Sequence, residues 1–137
     1  MTIYCYIDGS ARPNPGKGGI GIIIRGDGWD YTLSESIPRN RITNNQAEYC
    51  ALYRALVELM RNGLERHDIQ ILSDSQMLTE QMVGERQVDK GGQYVDTYLK
   101  CRELAKYFTN LRFTHILREE NYEANLLASE GVKACPS

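Results

Sequence analysis

The succession of hydrophobic patterns along this chain predicts an α/β fold: a five-stranded mixed sheet in the order βββαβααβα, with helices on both faces. Three observations carry the prediction. Residues 1–37 hold three β-rich runs separated by Gly/Pro-rich or Asp-Gly turns. Beyond Thr43-Asn44 the apolar residues change to helical spacing. From Asp68 onward, short strand-like runs alternate with helical stretches. A length of 137 residues, 42% of them hydrophobic and 25% charged, suits a single globular domain spanning 1–137 and argues against disordered, fibrous or membrane-embedded classes.

In the first run, Thr2–Ile7, the residues Ile3, Cys5 and Ile7 share one face and Tyr4 and Tyr6 the other. Both faces are apolar, as in a strand covered from two sides. The strand is expected to stop at Asp8-Gly9, with ARPNPGKGG as a turn-rich loop. Gly19–Arg25 and Trp29–Ile37 form the next two strands, joined at Asp27-Gly28, a hairpin signal. Thr43 or Asn44 can cap the first helix, whose stripe is Ala47, Ala51, Leu52, Ala55, Leu56, Leu59 and Met60 and whose end is Asn62-Gly63. Asp68–Ser73 is a short strand, Ser75–Val83 a helix ended by Gly84, and Gly84–Gln93 a polar loop. Tyr94–Thr109 reads as a helix, Leu111–Leu117 as a strand, and Asn121–Lys133 as a last helix built on Ala124, Leu127, Ala128 and Val132.

Sixteen basic residues against eighteen acidic ones give a net charge of −2. A protein that gripped nucleic acid mainly by Coulomb attraction would be basic, so any such binding must come from local features. The segment MTIYCYIDGS lacks the basic start, apolar core and cleavage site of a secretory signal. No apolar run approaches the roughly 20 residues that span a bilayer. A cytoplasmic protein with no membrane partner is expected. Cys5, Cys50, Cys101 and Cys135 form no CxxC pair and stand at no zinc-site spacing from His67 or His115, so ordinary thiols are expected.

Four polar positions are not explained by core packing. Asp8 and Asp74 close the first and fourth strands at their carboxyl ends, where α/β sheets gather ligands. Glu48, in the first turn of the first helix, shares a face with Leu52, Ala55 and Leu59, so its carboxylate is expected to point toward the sheet edge. Asn125 likewise shares a face with Ala128 and Val132. Any one of these alone is more simply a helix cap or a solvated charge. Carboxylates on converging elements repel and raise one another's pKa unless a cation lies between them. Oxygen ligands without Cys or His favour Mg²⁺ or Mn²⁺, and such clusters serve two-metal phosphodiester hydrolysis.

The stretches IDGSARPNPGKGGIG (7–21), TNNQAEYCAL (43–52), LSDSQ (72–76) and REENYEANLLA (118–128) lie in the order of the matching blocks of type 1 ribonuclease H. The sequence resembles that family over essentially its whole length. The resemblance implies the ribonuclease H-like fold and endonucleolytic cleavage of the RNA strand of RNA–DNA hybrids. Products with 5′-phosphate and 3′-hydroxyl ends are implied, with two Mg²⁺ or Mn²⁺ ions per site when substrate is bound. It further implies that Asp8 bridges both ions and that Glu48 and Asp74 hold the ion on the leaving-group side. Asn125 falls where the family has a fourth carboxylate, an Asp serving the water-activating ion. An amide oxygen can ligate a metal but brings no charge, so a weakened enzyme is expected. A catalytically inactive, hybrid-binding form of the same fold is the alternative. A DNA-directed nuclease of the wider superfamily is disfavoured by the TNNQAEY block.

By the same resemblance, Gly9, Ser10, Asn14, Asn44, Asn45 and Gln76 match the residues lining the groove that senses 2′-hydroxyls, and Thr43 with Arg41 matches a pocket for a DNA phosphate. Asn44-Asn45 also suit plain helix capping. Many members carry a His before the last helix; here Arg118 or Glu119 is the substitute to weigh against a solvated charge pair, and His115 is expected to be a packed or edge strand residue. Some members add a basic loop after the second helix, whereas Gly84–Gln93 is nearly neutral, so modest affinity and a shallow salt dependence are expected. GKGGIG lacks the GxxxxGK[ST] pattern and joins strand to strand, which sets a phosphate loop aside. Trp29 is expected to be a half-exposed strand aromatic, and the chain a monomer.

Overall fold

The computed structural model describes residues 1–135 and contains the succession of elements that the sequence predicts. Strands β1 (Thr2–Arg12), β2 (Gly16–Gly26) and β3 (Trp29–Ile42) form an antiparallel meander. Strands β4 (Asp68–Ser73) and β5 (Asn110–His115) add in parallel on the other side of β1, giving the spatial order β3-β2-β1-β4-β5. The helices are α1 (Asn44–Arg61), α2 (Gln76–Met82), α3 (Val95–Ala105) and α4 (Tyr122–Lys133).

The central strand carries the core. Ile3, Cys5 and Ile7 of β1 join Ile20, Ile22 and Ile24 of β2, Ile69 and Ile71 of β4, and the apolar stripe of α1 from Ala47 to Leu59 in one buried cluster. At about 1.5–3 kcal/mol for each large aliphatic side chain fully removed from water, this cluster is the main source of stability. Helices occupy both faces, but unequally. α1 lies on β1 and β2 with α3 stacked against it, while α4 crosses β1, β2 and β3 on the opposite face. α4 leaves much of β4 and β5 open on its side. Tyr4, expected to be covered, is therefore 45% exposed.

Several boundaries differ from expectation. β1 does not stop at Asp8-Gly9. Its parallel ladder with β4 ends at Ile7 opposite Ser73, but its antiparallel ladder with β2 continues to Arg12 opposite Lys17. The expected loop shrinks to 13–15, and Asp8 sits inside a continuing strand at the point where one neighbour runs out. β3 likewise runs past Ile37, because an irregularity between Gly16 and Gly18 brings Gly16 opposite Ile42. β5 ends at His115 rather than Leu117, since its partner β4 ends at Ser73; the Ile116 N–H instead donates to the Ser73 carbonyl at 2.9 Å. α3 starts and stops inside the expected 94–109. The expected loop before the last helix folds as a 3₁₀ turn, Arg118–Asn121, and α4 begins at Tyr122 rather than Asn121. All four cysteines are free, and burial pushes the Cys5 thiol up to about 12. No helix among the described residues is long and apolar enough to cross a membrane.

α4 approaches β2 so closely that a Cβ at Gly21 would lie 2.3 Å from the Ala124 carbonyl oxygen. Gly21→Val must push the helix off the sheet and is expected to cost about 3 kcal/mol or more in urea denaturation. Gly91→Ala, in an open loop position, is expected to stay within about 0.5 kcal/mol. Equal midpoints for the two variants would contradict this contact.

Candidate active site

Asp8, Glu48 and Asp74 converge where the β1–β4 ladder ends, and a different local rule delivers each. Asp8 follows the last parallel pair. Asp74 is the first residue past β4. It is held there because the Ser73 hydroxyl accepts from the Ser75 N–H at 3.0 Å and the Ser75 hydroxyl caps α2 by accepting from the Leu78 N–H at 3.2 Å. Glu48 comes from α1, whose cap is Thr43 and not Asn44. The Thr43 hydroxyl accepts from the Gln46 N–H at 3.1 Å, and the Gln46 side-chain oxygen accepts from the Thr43 N–H at 2.8 Å. With that start, Glu48 opens the second turn rather than lying in the first.

The depth of α1 then brings Glu48 to the sheet. A Cβ at residue 9 would stand 2.1 Å from the Ala47 carbonyl, so only glycine lets the helix come this near. At that approach the Gly9 N–H donates to Glu48 Oε1.

The ligand oxygens of the three carboxylates all lie within 4.8 Å of one another. Asp8 is 6% and Glu48 8% exposed, and Asp74 is half-buried. Burial, and then the charge of Asp74, push the Asp8 carboxyl up to about 7. Burial followed by the nearness of Asp8 raises Glu48 well above its ordinary range. Burial also raises Asp74, against the opposing effects of Arg118 and of the Asn121 and Asn125 amides. With no counter-ion between them, burial and mutual repulsion shift all three carboxyls toward the protonated form. Asp74 Oδ2 is buried with no hydrogen-bond donor. Hard oxygen ligands at this spacing, one of them unsatisfied, fit a divalent cation such as Mg²⁺ or Mn²⁺.

Asn125 lies beside Asp74. Its Nδ2 donates to the Arg118 carbonyl at 3.1 Å, while its Oδ1 is buried without a donor, which also suits a cation. Asn121 is a site residue that sequence reasoning missed. It is 1% exposed, donates from Nδ2 to the Ile7 carbonyl at 2.8 Å, and so ties the entry of α4 to the residue preceding Asp8. Its sequence signal was the pair Asn121 and Asn125, one turn apart at a helix entry, which a capping explanation absorbs.

The other expected residues divide. Gly9, Ser10, Asn44 and Asn45 line a cleft of about 340 Å³ together with the carboxylates and with Arg12 and Arg118. Asn44 laces this wall: its Oδ1 accepts from the Ala11 N–H at 2.8 Å, and its own N–H donates to Asn14 Oδ1 at 3.0 Å. The Thr43 hydroxyl is committed to capping, with Arg41 exposed nearby. Gln76 is exposed and donates to Glu80 at 2.8 Å, one helical turn on. Arg118 lines the carboxylate cleft, whereas Glu119 lines neighbouring grooves. His115 is exposed at the end of β5, and Trp29 is half-buried.

The family described as reverse transcriptase-like matches residues 6–131. The curated ribonuclease HI of Halobacterium salinarum is 33% identical over 131 residues, covering 95% of this chain and 64% of that protein. A ribonuclease H of Legionella pneumophila is 34% identical over 82 residues. The chain thus spans 64% of the first relative's length, and the match to the second spans 53% of its length. Among solved structures, RNase H1 from Halobacterium salinarum superposes with a TM-score of 0.86 at 32% identity, covering 98% of this chain and 100% of that one. LC11-RNase H1, solved in complex with an RNA/DNA hybrid, superposes with a TM-score of 0.86 at 34% identity, covering 96% of each chain.

The raised carboxyls set a pH signature. A carboxyl whose pKa is higher in the folded than in the unfolded chain binds protons more tightly when folded, so it favours folding at low pH and loses that contribution as pH rises. Here the loss runs from the ordinary carboxyl range near 4 up to about 7 for Asp8. In chelator, the thermal midpoint is expected to fall between pH 5 and pH 8, and Asp8→Asn to reduce that fall. Saturating Mg²⁺ should raise the midpoint more at pH 8 than at pH 5. A Mg²⁺ effect independent of pH would contradict the cluster as described.

Proposed function

The chain belongs to the ribonuclease H family, and on that footing we propose that it hydrolyses the RNA strand of RNA–DNA hybrids with divalent cations held by Asp8, Glu48, Asp74 and Asn125. The observation that carries this reading is the convergence of three carboxylates within 4.8 Å of one another beside an unpartnered amide oxygen. The hybrid bound by LC11-RNase H1, a neighbour over nearly the whole chain, supports the choice of substrate. Two cations, when bound, would lower the pKa of an attacking water and steady the leaving oxygen.

The chain's own residues supply position and charge. Asp8, between Glu48 and the β4 terminus, would hold the cations together with Glu48 and Asp74, which flank it. The Gly9 N–H orients Glu48 for ligation. Asn125 offers its Oδ1 without a negative charge, which weakens the fourth ligand position. Gly9, Ser10, Asn14, Asn44 and Asn45 present short-range donors and acceptors suited to 2′-hydroxyls in a wide minor groove. Gln76 joins them only by leaving Glu80. Arg41, near the end of β3, and Thr43, at the cap of α1, would hold a phosphate of the DNA strand. Arg118 takes the place that a histidine fills elsewhere in the family, because it lines the cleft and its charge already opposes the rise of Asp8 and Asp74.

Incubation with a labelled hybrid across Mg²⁺ and Mn²⁺ titrations tests the reading. RNA-strand cleavage is expected, with Asn125→Asp reaching half-maximal rate at a metal concentration lower by about ten-fold or more, the scale of losing metal-site interactions. Hybrid binding without cleavage, rescued by Asn125→Asp, would instead make this chain an inactive hybrid-binding form. Equal cleavage of duplex DNA would overturn the substrate assignment.

A second pair of variants separates the two candidate loop residues. Arg118→Ala is expected to lower kcat with partial retention in Arg118→Lys, and Glu119→Ala to leave turnover unchanged. Loss of turnover in Glu119→Ala alone would reverse their roles.

A further inference from the structure

We propose that Arg12, pinned by Ser129, is a phosphate-binding residue for the RNA strand next to the scissile position, an inference that rests on the hybrid reading above. Strand alternation puts Asp8, Ser10 and Arg12 on one face of β1. At about 3.3 Å per residue, Arg12 begins roughly 13 Å along the strand from Asp8. Arg12 nevertheless lines the cleft that holds Asp8, Glu48 and Asp74. Its guanidinium is held by a contact across the fold: Arg12 Nη2 donates to Ser129 Oγ, on α4, at 2.8 Å.

That partner is informative because it is neutral. Arg25, Arg54, Arg61, Arg86 and Arg112 each pair with a carboxylate. Among the described residues, Arg12 has no carboxylate within salt-bridge distance. A hydroxyl orients a guanidinium without cancelling its charge, and the remaining N–H groups of the planar fork stay available for the bidentate geometry that phosphate accepts. An oriented, uncompensated arginine at the rim of a carboxylate cleft is suited to a phosphodiester and unsuited to a mere surface clip.

The position selects the strand. The scissile linkage must enter the cleft where the three carboxylates meet. Arg12 reaches Ser129 on α4, on the face of the sheet opposite α1, whose Thr43 end is given to the DNA strand. Arg12 also borders a groove of about 400 Å³ running on past Ser129, Tyr122 and Leu126, a path by which the RNA backbone can leave the cleft. The neutral Gly84–Gln93 loop, whose Arg86 is already paired with Glu80 at 2.8 Å, gives no comparable charge.

Anisotropy titrations of a short labelled hybrid, with product followed on the same samples, test the assignment at salt concentrations from roughly 50 to 200 mM. Arg12→Ala is expected to weaken binding about 5- to 10-fold near 0.1 M salt and to flatten the slope of log affinity against log salt by about 0.9. Arg12→Lys should keep the slope while losing part of the affinity. Ser129→Ala should give a smaller loss, also with the slope kept. A single uncharged methylphosphonate walked along each strand should reveal one RNA-strand position that weakens the wild type but not Arg12→Ala. An unchanged slope in Arg12→Ala, or coupling found only in the DNA strand, would overturn the proposal and leave the hybrid reading intact. No hybrid binding by the wild type would overturn both.

Discussion

Where α1 crosses β1, the Ala47 carbonyl stands 2.1 Å from the place a Cβ of residue 9 would occupy, and the site is built outward from that contact. Glycine there lets the helix sink until Ala47, Ala51 and Ala55 are wholly buried against the sheet. The same depth brings Glu48 to the Gly9 N–H and hence to Asp8. The opposite face obeys a matching constraint. Gly21 admits α4 to contact with β2, and α4 then carries Asn125 to Asp74 and Ser129 to Arg12. Two close backbone approaches, one on each face of β1 and β2, therefore decide where the helix-borne side chains Glu48, Asn125 and Ser129 can stand.

Electrostatics divides the molecule into two regimes. Away from the cleft, three hydrogen-bonded acidic groups are held below their ordinary pKa range. Asp68 is lowered by the Thr2 hydroxyl and Arg112, Glu80 by Gln76 and Arg86, and Glu123 by Arg25. Inside the cleft the direction reverses, because burial and mutual repulsion dominate and the protein supplies no buried cation. Such an arrangement lowers stability in exchange for a site ready to receive charge from outside, the pattern expected where function and folding pull apart. A net charge of −2 conceals this separation. It averages a carboxylate cluster, its neighbouring uncompensated arginines and a surface of ordinary ion pairs.

Local rules explain why so much was legible from the residues alone. The period change after Thr43, the Asp27-Gly28 hairpin, the bounds of Asp68–Ser73 and the position of Asp74 beyond that strand all follow from alternation, helical spacing and turn chemistry, and all four are present in the structure. The buried orientation of Glu48 follows from the same arithmetic of helix faces. These features depend on residues within a few positions of one another, so a single chain suffices to specify them.

Long-range pairing decided the rest. β1 continues past Asp8 because β2, not β4, accompanies it there, and β5 stops at His115 because β4 has run out. Thr43 wins the cap over Asn44 because Asn44 is engaged with Ala11 and Asn14 across the fold. Asn121 is buried by its bond to Ile7, and Arg12 is aimed by Ser129, contacts separated by 114 and 117 residues. The sequence by itself determined the kinds of element, their order and the carboxylates at the carboxyl ends of strands. Only the tertiary structure decided which strand ends where, which polar side chains are buried and which arginines stay unpaired. Those outcomes depend on distant partners, and distant partners leave no periodic mark on the chain.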